Sequence, residues 1–273
     1  MSTITIADRR TGVGTGDVTL ARVIYAEWTK LWSLRSTRWT LGLAVLLVIG
    51  IDVLATAQAA QQWTAADVHG GTADPTFQSL GGLLAAQIPI GVLGVLTLSG
   101  EYATGMIHAT FGLVPRRLPV LWAKTIVFAG VTFVLMLATL LIAFLIGQSI
   151  LGPDLNVGLG SPHVIGAILG SAAYLTLIGV VGLALGALLR HTAGAVSTLL
   201  GAMLALPVLF EIFGQWLHSA ERYLPMLVAE AVASTQPTHV TDLLSPAAAL
   251  LAMCGYAVVG LGAAALVLVR RDV

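Results

Sequence analysis

Long apolar runs recur six times along the chain, and short polar stretches separate them. A helix needs about 20 residues to cross the hydrocarbon core of a bilayer, and each run is close to that length or somewhat longer. The pattern therefore predicts an all-α integral membrane protein with six transmembrane helices. The runs are Trp39–Ala59, Leu80–Ser99, Thr125–Leu151, Val164–Leu189, Thr192–Phe213 and Pro246–Val269.

Basic residues are unevenly distributed over the segments that join these runs. With both chain ends on one face, every one of the 13 Lys and Arg residues except Arg222 falls on that face. Cytoplasmic loops carry the excess of positive charge, so we expect a multi-pass protein of the cell membrane with both termini in the cytoplasm. The composition also agrees with a membrane protein, since 57% of the residues are hydrophobic and the mean hydropathy is +0.93.

The chain divides into two parts after residue 19. Residues 1–19 are polar and are expected to form a flexible cytoplasmic tail, whereas residues 20–273 form a single transmembrane domain. Residues 20–38 predict an amphipathic helix in the membrane interface, with Trp28 at the headgroup level and Arg35 on the cytoplasmic side. Glu27 interrupts its apolar face. It either pairs with Lys30 or makes a buried contact with another cytoplasmic element.

Residues 101–124 form the longest predicted cytoplasmic loop and are too polar to cross the membrane. A short helix over Glu101–Leu113 would begin with an acid, which is favourable at a helix N-terminus, and would end before Pro115. Met106, Ile107 and Phe111 would then form a partly apolar ridge. That ridge either packs against the chain's own spans or is a docking surface for a soluble partner.

Four stretches resemble the permease subunits of type-2 ATP-binding-cassette (ABC) transporters, in an actinobacterial form. They are AEWTKLWSLRSTRW, SGEYATGMIHATFGLVPRR, RHTAGAVSTLLGAMLALPVLF and LSPAAALLAMCGYAVVGLGAAALVLVRRDV. The resemblance implies an elbow helix over residues 20–38, a coupling helix within residues 101–124 and a re-entrant outer segment over residues 214–245. It also implies that the coupling helix docks on an ATPase through Glu101, Tyr102, Met106, Ile107, His108, Phe111, Arg116 and Arg117.

The same resemblance implies the partners of the chain. Two copies of a separate ABC ATPase would bind ATP and Mg, and a second permease subunit, identical or related, would complete the transporter. Relatives often carry a basic residue after the Glu-Tyr pair, where this chain has Ala103. One contact with the ATPase is therefore open to question.

Two acidic residues lie within the apolar runs. Asp52 is about two-thirds along the first run, and Glu211 is near the end of the fifth. An ionised carboxylate in hydrocarbon is costly, so each lines a pathway or subunit interface, or else lies near the outer headgroups. Glycine spacing in the fourth run, at Gly166/Gly170 and Gly182/Gly186, predicts close helix packing.

No sequence motif supports catalysis by the chain itself. The six His residues lack metal-site spacing, and neither a nucleophile elbow nor a nucleotide-binding loop is present, so we predict no enzyme activity and no bound cofactor. The basic residues follow membrane topology, which argues against nucleic-acid binding. The leading interpretation is a permease exporting a drug-like or lipidic molecule. The alternatives are an ion-coupled secondary transporter and a non-transporting membrane scaffold or immunity protein.

Overall fold

The computed structural model describes residues 19–106, 117–236 and 243–270. Residues 1–18 of the predicted tail lie outside the described residues. Every regular element in the described part is helical. The elements are α1 (Leu20–Ser33), α2 (Arg35–Gln62), α3 (Ala65–His69), α4 (Pro75–Gln78), α5 (Leu83–Ala103), α6 (Arg117–Leu151), α7 (Val164–Leu189), α8 (Thr192–Leu200), a π-helical turn (Gly201–Ala205), α9 (Leu206–Glu221), α10 (Pro225–Ala233) and α11 (Pro246–Arg270).

Six stretches of the described chain are long and apolar enough to cross a membrane, as the sequence predicts. They correspond to α2, α5, α6, α7, the α8–α9 pair and α11. The helices begin or end several residues beyond some apolar runs, because polar residues at the edges remain helical. Helix α5 therefore extends to Ala103, and α6 begins at Arg117. Of the predicted loop 101–124, only residues 104–116 lie between the two helices.

Helix α7 lies at the centre of the bundle and packs most closely against α5. Two thirds (67%) of its most apolar stretch is buried, against 17% for the span formed by α8 and α9. Glycines allow the contact, since a Cβ added at Gly94 would lie 1.9 Å from the carbonyl oxygen of Gly179. A Cβ at Gly182 would likewise lie 2.2 Å from the carbonyl oxygen of Gly91. The two backbones therefore touch directly, as small residues permit in membrane helices.

The glycine spacing in the fourth run is only partly a packing signal. The predicted role of Gly182 and Gly186 is confirmed, because both face the backbone of α5. A Cβ added at Gly166 would have nothing within 4 Å, and one at Gly170 would face the side chain of Val232 on α10. The first pair therefore does not form a second helix crossing of the same kind.

Polar contacts define two ends of the bundle. At the end where α2 begins and α5, α7 and α11 finish, Arg190 bonds the carbonyl of Val267 at 3.4 Å and lies 5.4 Å from the ring centroid of Tyr102. We call this the basic end. At the opposite end, Gln148 on α6 donates to the carbonyl of Pro75 on α4 at 3.0 Å.

Two predicted boundaries differ from the structure. The expected single helix over residues 20–38 ends at Ser33, because Leu34 has extended backbone (φ −78°, ψ 119°), and Arg35 instead begins α2. The expected helix starting at Glu101 is also wrong at its start, since Glu101 lies in the last turn of α5.

In the fifth span a π-helical turn immediately precedes Leu206 and Pro207, which relieves the clash of a proline ring with the preceding turn.

Candidate functional site

Four charged side chains meet at the basic end and form what we call the charged tetrad: Glu27, Lys30, Glu101 and Lys124. They come from three helices, because Glu27 and Lys30 lie on α1, Glu101 on α5 and Lys124 on α6. The chain contains only two lysines, and the tetrad includes both of them. These charges therefore join the N-terminal helix to the two spans that flank residues 104–116.

The tetrad alternates charge in a closed ring of hydrogen bonds. Lys30 Nζ donates to Glu27 Oε1 and to Glu101 Oε1, each at 3.1 Å. Lys124 Nζ donates to Glu27 Oε2 at 2.5 Å and to Glu101 Oε1 at 2.9 Å. Each ammonium thus bridges both carboxylates, and the cluster has no net charge.

Burial makes the tetrad sensitive to the loss of its three buried members. The side chains of Lys124, Glu27 and Glu101 are 4%, 5% and 8% exposed, whereas that of Lys30 is 32% exposed. Burial lowers the pKa of Lys30, but the carboxylates of Glu27 and Glu101 outweigh it and hold this pKa above its ordinary value. Removing one partner of a buried ion pair costs about 3–5 kcal/mol, because the remaining charge stays desolvated.

The amphipathic pattern of α1 explains how Glu27 reaches the tetrad. Val23, Glu27 and Leu31 are the buried residues of α1, and their spacing of four places them on one helical face. Val23 packs beside Val120 and Ala123 of α6. Ala123 directly precedes Lys124 in the sequence. Glu27 therefore makes both kinds of contact, because it pairs with Lys30 on its own helix and bonds the buried Lys124 of α6.

A cavity of about 390 Å³ adjoins the tetrad. Its walls come from the α1–α2 junction, the last three turns of α5 and the start of α6. Most of its lining is apolar, and Glu27, Lys30, Glu101 and Lys124 all contribute to the polar part. Pockets of about 300–1,000 Å³ with apolar walls and a few polar groups are typical ligand sites.

The structure brings only part of the predicted docking set together. Glu101 joins the tetrad, Tyr102 lies under Arg190, and Met106 is 41% exposed beside the cavity. Trp28 and Trp32 are each a little under half exposed and stack edge to face, with ring centroids 5.9 Å apart. The predicted docking residues outside the described part are Ile107, His108, Phe111 and Arg116, whereas Arg117 begins α6.

The two acidic residues of the apolar runs have different surroundings. Asp52 is fully buried, and its Oδ1 accepts a bond of 2.6 Å from the backbone N–H of Gly82, just before α5 begins. This contact requires a glycine, since a Cβ at Gly82 would lie 2.4 Å from the carbonyl oxygen of Val48. Asp52 thus faces protein and not lipid. Glu211 is exposed on α9.

Asp74, which sequence reasoning left without a role, fastens two segments at the opposite end. It caps α4 by accepting from the N–H groups of Thr76 and Phe77, at 2.9 and 3.0 Å. It also accepts from the N–H groups of Thr235 and Gln236, at 2.6 and 3.0 Å. The Asp-Pro pair signals a helix start, but no local signal identifies a partner some 160 residues away.

Lys124 is the other residue that sequence reasoning missed as part of the site. Its signal was a lone lysine in an apolar stretch at the start of a span, where an ammonium needs a partner. Within the described ranges, no group of three or more His, Cys, Asp or Glu residues is placed to hold a metal ion. Comparison with known proteins finds no family model and no curated protein that matches the chain.

Proposed function

We propose that the chain is the membrane-spanning permease subunit of an ABC exporter, and that a separate ATPase supplies the energy. The observation that carries this proposal is the charged tetrad, which joins α1, the end of α5 and the start of α6. Residues 104–116 connect these two spans directly. Force applied to residues 104–116 would reach α1, α5 and α6 together, because the tetrad bonds these three helices to one another close to the ends of that segment.

The proposed mechanism is a rigid-body movement. Two permease subunits, identical or related, would each dock residues 104–116 on one of two ATPase copies, which bind ATP and Mg. Closure of the ATPase pair would draw the docked segments together and tilt the spans between inward- and outward-facing states. The basic end would face the cytoplasm of the cell, in agreement with the positive-inside bias, and a drug-like or lipidic substrate would cross between the subunits.

The segment before the last span supports the same proposal. After α9 ends at Glu221, the chain turns and α10 packs inward, so that Val232 meets Gly170 in the second turn of α7. Tyr256, about 15 Å along α11 at 1.5 Å per residue, donates to the carbonyl of Tyr223 at 3.0 Å. This arrangement fits short re-entrant helices that cover the outer end of a pathway.

Co-purification with an ATPase encoded beside the gene tests the proposal. We expect wild-type protein to retain that ATPase, and the triple change of Met106, Ile107 and Phe111 to Asp to release it. The matched control places three Asp residues at Asn156, Gly158 and Gly160, in the exposed parts of the loop between α6 and α7. Equal retention by both variants would contradict the docking assignment.

Asp52 favours one second candidate, a transporter coupled to an ion gradient. Its carboxylate is fully buried, and within the described chain its Oδ2 has no hydrogen-bond partner. Buried acids in spans commonly carry protons or ions. Transport by wild type and by Asp52→Asn in vesicles, measured with an ion gradient but no ATP and again with ATP but no gradient, decides the matter. Gradient-driven transport that this variant abolishes supports ion coupling, and ATP-dependent transport that it leaves unchanged excludes it.

A further inference from the structure

Helix α1 carries an aromatic edge that the described residues leave uncovered. A different side of the helix packs on α6 through the buried Val23. The aromatic edge consists of Tyr25, Trp28 and Trp32, which are 73%, 47% and 41% exposed. Trp39, in the second turn of α2, is 79% exposed. Tyrosine and tryptophan favour the headgroup level of a bilayer, because each joins an apolar ring to a polar group. The aromatic edge therefore indicates a helix that lies along the membrane surface.

Three exposed arginines, Arg22, Arg35 and Arg38, accompany these aromatic residues. Arg22 precedes Tyr25 by three residues on α1, and Arg35 precedes Trp39 by four on α2. Both spacings place side chains on one helical face. Within the described ranges, no carboxylate lies within ion-pair distance of any of the three guanidinium groups. Their positive charge therefore remains available to a partner.

The charged tetrad explains why this surface is positive. Glu27 and Glu101 are the described carboxylates at the basic end, and the two lysines neutralise both of them. Neither acid is therefore available at the surface to offset the arginines. Arg35 and Arg38 also lie in the first turn of α2, a helix long and apolar enough to span the membrane. This position holds their charge close to the bilayer surface.

An anionic phospholipid satisfies both parts of this surface. Its phosphate can accept two hydrogen bonds from the planar guanidinium group of an arginine, and its acyl chains give the aromatic rings an apolar neighbour. An acidic soluble protein would match the arginines, but it would leave the aromatic edge without such a neighbour. A zwitterionic lipid offers the same phosphate, but its own ammonium group cancels the charge.

We propose that the surface formed by the aromatic edge, Trp39, Arg22, Arg35 and Arg38 binds anionic phospholipid in preference to zwitterionic phospholipid. The phosphate lies against the guanidinium groups, and the upper parts of the acyl chains lie beside the rings. This binding needs neither an ATPase nor a second subunit. Its test is therefore independent of the proposed transport function.

Native mass spectrometry of the delipidated full chain tests the proposal, with dioleoylphosphatidylglycerol and dioleoylphosphatidylcholine titrated separately. We expect the anionic lipid to bind the wild-type protein more tightly. Arg35→Gln and Arg38→Gln should each lower the ratio of the two affinities about fivefold, the contribution of one basic residue at an anionic membrane surface. Equal affinity of the wild-type protein for the two lipids would overturn the proposal.

Arg270→Gln is the matched control, because it removes an exposed arginine at the same end of the bundle but on α11. The ratio of affinities should stay at the wild-type value. A fall as large as that of Arg35→Gln would show that total positive charge selects the lipid, and it would overturn the proposed site.

Photolabelling in nanodiscs gives a second measurement that needs no variant. A phosphatidylglycerol that carries a diazirine in its head group should label residues 20–39, as mapped by mass spectrometry of peptides. Label found only on other segments would place the lipid elsewhere and refute the proposal.

Discussion

Replacing Lys124 with Met tests the energetic importance of the charged tetrad. The change removes bonds of 2.5 and 2.9 Å to the two carboxylates, and it leaves Glu27 and Glu101 buried with Lys30 as their shared cation. We expect destabilisation of about 3–5 kcal/mol, the cost of leaving buried charge uncompensated. For a chain of this size that corresponds to a fall in the unfolding temperature of roughly 6–20 °C.

Lys30→Met is the matched control for this prediction. The side chain of Lys30 bonds to the same two carboxylates, but it is 32% exposed where Lys124 is 4% exposed. Water can therefore replace part of its interaction, and the loss should approach the ~1 kcal/mol found for exposed pairs. Thermal unfolding of both variants in one detergent, followed by tryptophan fluorescence, gives the comparison.

A double-mutant cycle separates the charge interaction from packing. Adding Glu27→Gln to Lys124→Met removes the uncompensated carboxylate, so the double variant should be more stable than Lys124→Met alone. The reasoning is refuted if the Lys124 and Lys30 variants unfold at the same temperature. It is equally refuted if the two changes at Glu27 and Lys124 are additive.

Three further predictions concern packing, the opposite end and the two lysines. Gly94→Ala should cost about 1–3 kcal/mol in unfolding measurements, because its Cβ would meet the α7 backbone, while Gly166→Ala, with open space, should cost little; similar losses would contradict the close crossing. Asp74→Asn should speed amide hydrogen exchange at residues 234–236, since one acceptor oxygen becomes a donor, and unchanged exchange would deny its fastening role. An amine-reactive ester should modify Lys30 in the folded protein and Lys124 only after unfolding; early modification of Lys124 would contradict its burial.

The membrane class of the fold was predictable because it depends on local composition. An apolar run of sufficient length predicts a membrane span, and a polar face opposite an apolar face predicts the amphipathic helix α1. Helix ends were less predictable. Leu34 adopts extended backbone between two helices without a proline or glycine to signal it, and Glu101 continues α5 because nothing in the sequence stops that helix before Thr104.

The site was only partly predictable because its residues are distant in sequence. Glu27 and Lys30 are three residues apart, so their pairing was foreseeable, but Lys124 is 97 residues from Glu27. Gly182 was identified as a packing residue from its spacing, whereas its partner Gly91 depends on which helix packs against α7. Contacts of this kind are set by tertiary structure and leave no periodic signal in one chain.

Labelling from one side of the membrane tests the proposed orientation of the basic end most directly. Thr104→Cys and Asn156→Cys, each made in a Cys254→Ser background, place single exposed thiols at the basic and opposite ends. An impermeant maleimide should label Asn156→Cys in intact cells and Thr104→Cys only in inverted vesicles. Labelling of Thr104→Cys in intact cells would put residues 104–116 outside the cytoplasm, where no ATPase could dock.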